Sequence, residues 1–225
     1  MKPPRHDARF AALMEDVLAV YERPVDPARP VVCFDETGKA LRSHKRAPQH
    51  AAPGHPARQD SEYKPEGTSN IFLACAPHLG RRHVAVTARR TAVDVAQQLR
   101  EIADVHYPEA EVIVLVTDQL NVHAPASLYA AFPPAEARRL AERFEWHYTP
   151  THGSWLNMAE IELSVLGRQC LDRRLPEAAT LATEVAAWAA TRNAAATPIE
   201  WRFTLEVARI RLADVYPYLE HGNIA

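Results

Sequence analysis

The spacing of apolar positions changes along the chain, and each change marks an element. In residues 7–22, Phe10, Leu13, Met14, Val17, Leu18 and Tyr21 recur at i, i+3, i+4, i+7, i+8 and i+11, the pattern of an amphipathic helix. Pro24 ends it. Residues 30–35 are short, β-branched and apolar on both faces, which predicts a buried strand. Residues 36–68 lose the pattern and carry Pro48, Pro53, Pro56, Pro65, Gly54 and Gly67, so a long and functional loop is expected. Residues 69–76 and 82–88 read as strands joined by a turn over 77–80. Thr91, with Asp94 three positions on, opens a helix that ends before Pro108. Residues 111–118 give the clearest buried strand. Helical segments follow around 125–131 and 134–143, then a short strand at 144–149. A helix over 155–171 carries the stripe Leu156, Ala159, Leu163, Leu166 and Cys170, and two more helices cover about 177–193 and 204–214.

The early hairpin predicts antiparallel pairing, and the later crossover helices predict parallel pairing. The economical arrangement is an α/β fold with a mixed five-stranded sheet flanked by helices. Residues 1–29 then form an N-terminal helix and linker. Residues 30–175 form the sheet domain with an insertion at about 36–68, and 176–225 a helical extension.

Composition narrows the class. The chain has 225 residues, 47% hydrophobic and 24% charged, enough to bury a full core. Its longest apolar run, Val112 to Val116, falls far short of the roughly 20 residues that span a bilayer. The first residues lack a signal-peptide pattern, so a cytoplasmic protein is expected. Three cysteines at 33, 75 and 170 form no CxxC pair, which argues against a disulfide framework or a cysteine-built zinc site. They are expected as small core residues.

The formal net charge is −2, which excludes a globally cationic nucleic-acid binder. Position matters more. From Lys39 to Arg58 the chain holds Lys39, Arg42, Lys45, Arg46 and Arg58 and no acid. With +5 here, the remainder of the chain sums to −7. A cationic patch on an acidic body suits a phosphate-tracking loop; a solvated basic loop is the plainer alternative.

Asp35 and Asp118 each close an apolar strand and precede polar sequence. Ligands of open α/β sheets bind outside the carboxyl ends of strands, and paired carboxylates suit Mg²⁺ or Mn²⁺. A third acid has two candidates. At 100° per residue, Glu160 and Glu162 flank opposite edges of the apolar stripe at about equal angles, so helix geometry leaves the choice open.

Three blocks carry a resemblance: Val31-Val32-Cys33-Phe34-Asp35-Glu36, Val116-Thr117-Asp118-Gln119-Leu120-Asn121-Val122-His123, and His147 through Trp155-Leu156-Asn157-Met158-Ala159-Glu160. With the tail from Trp201 to Pro217 they resemble the catalytic domain of DDE transposases, in the bacterial insertion-sequence branch of the mariner superfamily. The resemblance implies a ribonuclease-H-like fold in which Asp35, Asp118 and Glu160 bind Mg²⁺ or Mn²⁺, two ions in all. Glu162 does not match the family's third acid. The implied activity is metal-dependent DNA strand cleavage and strand transfer at the ends of a mobile element. The implied partners are double-stranded DNA and a second copy of the chain. Gln119 stands where the family usually has Asn. It is expected, with His123 and His152, around the metal-binding acids. The 36–68 segment occupies the place of the mariner clamp loop, so its five basic residues are candidates for DNA contact. The family also carries an N-terminal helix-turn-helix region, whereas this chain begins almost at the catalytic domain. A separately encoded helix-turn-helix polypeptide is therefore a further expected partner, and a catalytically inactive, transposase-derived DNA-binding module is the alternative function.

Overall fold

The computed structural model describes residues 5–46, 51–55 and 61–217. Helix α1 (Ala8–Tyr21) leads into β1 (Val31–His44), β2 (Tyr63–Ala76) and β3 (Arg81–Thr87). Helix α2 (Ala92–Glu101), prolonged by a π-helical turn over Ile102–His106, precedes β4 (Ile113–Thr117). Then come α3 (Ala126–Ala131), α4 (Pro134–Glu142), β5 (Phe144–Tyr148), α5 (Met158–Leu166), α6 (Ala178–Ala195) and α7 (Leu205–Arg211). The five strands form one sheet in the order β3-β2-β1-β4-β5. The first three pair antiparallel, and β1, β4 and β5 pair parallel. This is the mixed five-stranded sheet that the pattern predicts.

Strand alternation gives the sheet two apolar faces. Cys33, Leu73, Cys75, Val114 and Val116 pack with α1, α5 and α6. Val32, Phe34, Phe72, Ala74, Ile113 and Leu115 pack with α2, α3 and α4. Each fully buried large side chain stabilises the fold by about 1.5–3 kcal/mol, so both apolar faces contribute to holding the sheet between its helices. All three cysteines are buried in the first core, as expected. The free edge of β3 is covered by α6: Asn193 both accepts from Arg82 N and donates to Arg82 O, each at 2.7 Å. That contact requires Gly80 (φ 62°), since a Cβ there would stand 2.4 Å from the Ala196 carbonyl.

One expectation is corrected. Residues 36–44 and 63–68 are not loop; they are the outer halves of β1 and β2, paired from Glu36↔Phe72 out to His44↔Tyr63. Their backbone groups bond each other across the ribbon, while most side chains beyond Thr37 lie partly or fully in solvent, so no apolar alternation reveals them. The Pro65 and Gly67 that signal a loop sit at a register shift opposite Leu41 and Arg42. A bulge there tolerates the missing proline donor and the φ of 103° at Gly67.

Candidate active site

Strand register brings the first two acids to the same end of the β1–β4 ladder. Cys33 pairs with Val116 across the parallel β1–β4 ladder; two residues further along the chain stand Asp35, within β1, and Asp118, just past the end of β4. Asp35 is therefore not at the end of its strand. It lies where β1 outruns β4, which stops at Thr117. Glu160 comes from the first turn of α5.

Asp35 is buried, at 6% exposure. Its Oδ1 accepts from Glu36 N at 2.8 Å and its Oδ2 from Asn157 Nδ2 at 3.2 Å. Burial above all, opposed by the Glu36 amide and reinforced by the charges of Glu160, Asp118 and Glu36, pushes its carboxyl up to about 7. Asp118 is also penalised by burial, but the hydrogen bonds from His123 and Leu120 N outweigh it and hold the carboxyl below its usual range. Glu160 is open to solvent as a residue. Partial burial of its carboxyl, then the charges of Asp118 and Glu36, still raise it. The three acids therefore lie in one electrostatic field with a surplus of negative charge.

That donor set fits a hard divalent cation, which favours carboxylate oxygens. Among the described residues, no group of three or more His, Cys, Asp or Glu side chains is placed to hold a metal ion. Mg²⁺ keeps several waters and takes only one or two carboxylates, so these acids would hold it through fewer than three direct ligands.

Glu162 is excluded from the site by its partners. Its carboxylate is buried and takes Arg82 Nη2 at 2.9 Å and two bonds from Arg192 at 3.0 and 2.9 Å. Arg82 is accordingly a core residue at 2% exposure, not exposed strand-end charge.

The remaining expected residues divide. His123 joins the site: its Nδ1 lies 2.5 Å from Asp118 Oδ1 and 3.0 Å from Thr117 Oγ1. Burial opposes protonation of this ring, yet Asp118 and Glu36 prevail and hold it up to about 9. Gln119 turns away from the acids. It accepts from Arg9 and donates to Thr149 O, both at 2.9 Å, fastening the loop after β4 to α1. His152 is exposed in the turn after Pro150 with φ 66°, and no hydrogen bond ties it to the acids.

The basic residues sit on the ribbon. Lys39 Nζ donates to the carbonyls of Leu171 and, at 3.2 Å, Arg173. Arg42 lies 4.3 Å over the Tyr63 ring, Lys45 pairs with Glu62 at 3.0 Å, and Arg46 follows β1. Arg58 lies outside the described residues. Arg173 and Arg174, absent from the expected set, join Lys39 and Arg42 around a cavity of about 520 Å³. Their run in the sequence was the available signal.

Asn157 and Glu36 also escape a reading by motif alone. Asn157 caps α5 by accepting from Ala159 N at 3.1 Å, and the Asn-x-x-Glu spacing of a helix start could have flagged it. Glu36 is buried beside His123.

The family described as DDE superfamily endonuclease matches residues 30–182, while no curated protein gives a significant match. Solved structures of similar fold include the Mos1 strand transfer complex, at 14% identity and TM-score 0.56, covering 84% of this chain and 58% of that one. The Mos1 paired-end complex with the left transposon end, at 15% identity and TM-score 0.57, covers 96% and 66%. The Mos1 mariner paired end complex with Mn, at 16% and 0.53, covers 85% and 58%. The chain thus spans less than two thirds of the length of these structures. With the ribonuclease-H-like sheet they share and the family match over two thirds of its residues, the chain belongs to the DDE superfamily of endonucleases.

Proposed function

We propose that this chain is the catalytic domain of a transposase that cleaves and transfers DNA strands at the ends of a mobile element, with Mg²⁺ or Mn²⁺ as cofactor. The observation that supports the reading is that Asp35 and Asp118 each follow the Cys33–Val116 pair of the β1–β4 ladder by two residues, and that Asp35 and Glu160 both feel the charge of Asp118. These three would hold the cations. When bound, divalent cations supply Lewis-acid stabilisation of the attacking and leaving oxygens of a phosphodiester. Asp35 is fixed by Asn157 and the Glu36 amide, Asp118 by His123 and Leu120 N. Such fixation matters because a ligand misplaced by 1 Å can cost about 100-fold in rate. Lys39, Arg42, Arg173 and Arg174 line one cavity with a single acid, Asp172, and a DNA backbone would have to compete there with the Glu184 pair of Arg173 and the carbonyls that Lys39 and Arg174 engage. The Mos1 complexes with transposon ends and with Mn support duplex DNA and a divalent metal as what this domain meets.

The test is nicking of a duplex bearing a candidate element-end sequence, with Mg²⁺ or Mn²⁺. The wild-type chain should nick it, and Asp35→Asn, Asp118→Asn and Glu160→Gln should each abolish nicking with an unchanged circular dichroism spectrum. Nicking at the wild-type rate by any of the three overturns the assignment of that acid. That no three His, Cys, Asp or Glu side chains among the described residues are placed to hold a metal ion favours one second reading, a silent DNA-binding module; retention of the duplex without metal-dependent nicking by the wild-type chain would establish it.

A further inference from the structure

Glu36 follows Asp35 on β1 and so projects to the opposite face of the sheet. It stands opposite Phe72 in the β1–β2 ladder, on the face that also buries Phe34. Its side chain is 1% exposed. A carboxylate so buried is costly unless charges face it. Two do. Arg90 Nη1 lies 3.6 Å from Oε1, and His123 Nε2 lies 2.9 Å from Oε2. The second approach is a close contact outside hydrogen-bond geometry, and neither atom has another hydrogen-bond partner among the described residues, so the two side chains abut directly.

His123 is itself fully enclosed. Its ring meets Phe34 edge-on at 5.5 Å between centroids, and its backbone N donates to Leu120 O at 2.8 Å. The far side of the ring reaches Asp118 Oδ1 and Thr117 Oγ1. A continuous line, Glu36 to His123 to Asp118, thus passes from the buried face of the sheet round the end of β4 to the acids. Asp118 Oδ1 takes both His123 and the Leu120 amide, while no hydrogen bond among the described residues engages Oδ2.

We propose that Glu36 is a positioning residue: it pins the His123 ring, and through it the Asp118 carboxylate, so that Asp118 Oδ2 stays turned toward a divalent cation. Glu36 is not a fourth ligand, because it faces the other side of the sheet from Asp35. The proposal rests on the reading of Asp118 as a metal ligand. Outer partners of this kind hold a ligand's orientation, and their loss typically weakens metal binding about 10–100-fold.

The experiment measures Mn²⁺ uptake by the full chain from the loss of the free-ion paramagnetic resonance signal. Wild-type uptake should saturate, and Asp118→Asn should remove it. Glu36→Ala and the near-isosteric Glu36→Gln should each raise the half-saturating Mn²⁺ concentration about 10–100-fold. The double variant Glu36→Ala/His123→Ala should bind no more weakly than His123→Ala alone, because residues acting in one line are not additive. Should Glu36→Ala fail to fold, Glu36→Gln decides. Wild-type affinity in Glu36→Gln, or losses that add in the double variant, overturns the positioning role while leaving Asp118 as a ligand. Uptake that survives Asp118→Asn defeats the metal reading, and the positioning role with it.

Discussion

Asn157 donates its side-chain amide to Asp35 Oδ2 at 3.2 Å, across 122 positions of the chain. The same amide reaches Phe34 O at 3.0 Å, and its own oxygen accepts from Ala159 N at the start of α5. One fully buried side chain therefore ties the β1 acid to the helix that carries Glu160. Losing an N-cap costs about 0.5–2 kcal/mol, and a buried acceptor left unmet adds about 1–3 kcal/mol. Asn157→Ala is expected to lower the unfolding free energy by about 2–4 kcal/mol on these grounds and to reduce metal-dependent nicking at a temperature where the variant remains folded. Urea unfolding and the nicking assay check both; full activity in the folded variant would remove Asn157 from the site.

Glu160 and Glu162 should separate stability from catalysis. Glu162 is buried against two arginines, and breaking such a pair from one side typically costs about 3–5 kcal/mol by stranding the partner charges. Glu162→Gln should therefore shift the urea midpoint strongly and, below it, leave nicking largely intact. Glu160→Gln should do the reverse, since it removes a carboxylate that Asp118 and Glu36 already disfavour. Matching unfolding curves for the two variants would contradict this division.

These two acids also show what the sequence could and could not carry. Helices α1 and α5 and the inner halves of the strands bury one face or both, so their apolar period is printed in the chain. The outer ribbon buries little, and its pairing partners lie 19 to 36 positions apart, from His44↔Tyr63 to Glu36↔Phe72, so the pattern reads as loop. Glu160 and Glu162 flank the same stripe. What parts them is Arg82 on β3 and Arg192 on α6, 80 and 30 positions away, and a local pattern holds no trace of either. Asp35 and Asp118 stood out because an acid follows each apolar run, although Asp35 proves to lie inside β1 rather than at its end. Glu36 was not, because its meaning depends on a histidine brought round from beyond β4.

A pH-sensitive contact lies between β3 and the turn that prolongs α2. His83 on β3 stacks on His106 after α2, with ring centroids 3.6 Å apart and planes 15° apart. Burial first, then His106 and Arg81, push His83 down to about 4; burial also lowers His106. Unfolded histidine titrates near 6.5, so between pH 6.5 and 4 the unfolded chain binds more protons. The stabilisation is complete above about pH 6.5 and is lost as pH falls toward 4, on the order of 1–3 kcal/mol once partial exposure is allowed for. His83→Phe keeps an aromatic ring and removes the titration. Urea unfolding at pH 7.5 and 5 should show a smaller loss for His83→Phe than for wild type, and equal losses would refute the assignment.

Asp35 carries the opposite sign. Its folded carboxyl sits at about 7, against about 3.9 in an unfolded chain, so the native state binds more protons between those values. Its stabilisation is complete below about pH 4 and is lost as pH rises through 7, by up to about 4 kcal/mol. A divalent cation at the acids favours the ionised form and should offset that loss, because a ligand of the native state alone raises its stability. Thermal unfolding in EDTA should therefore show a lower Tm at pH 8 than at pH 5.5 from this group, with Mg²⁺ restoring more at pH 8. Asp35→Asn should flatten both the slope and the Mg²⁺ gain. The His83 contribution is common to both proteins and cancels in the comparison. If Asp35→Asn gains as much from Mg²⁺ at pH 8 as wild type does, the raised carboxyl is not where the cation acts.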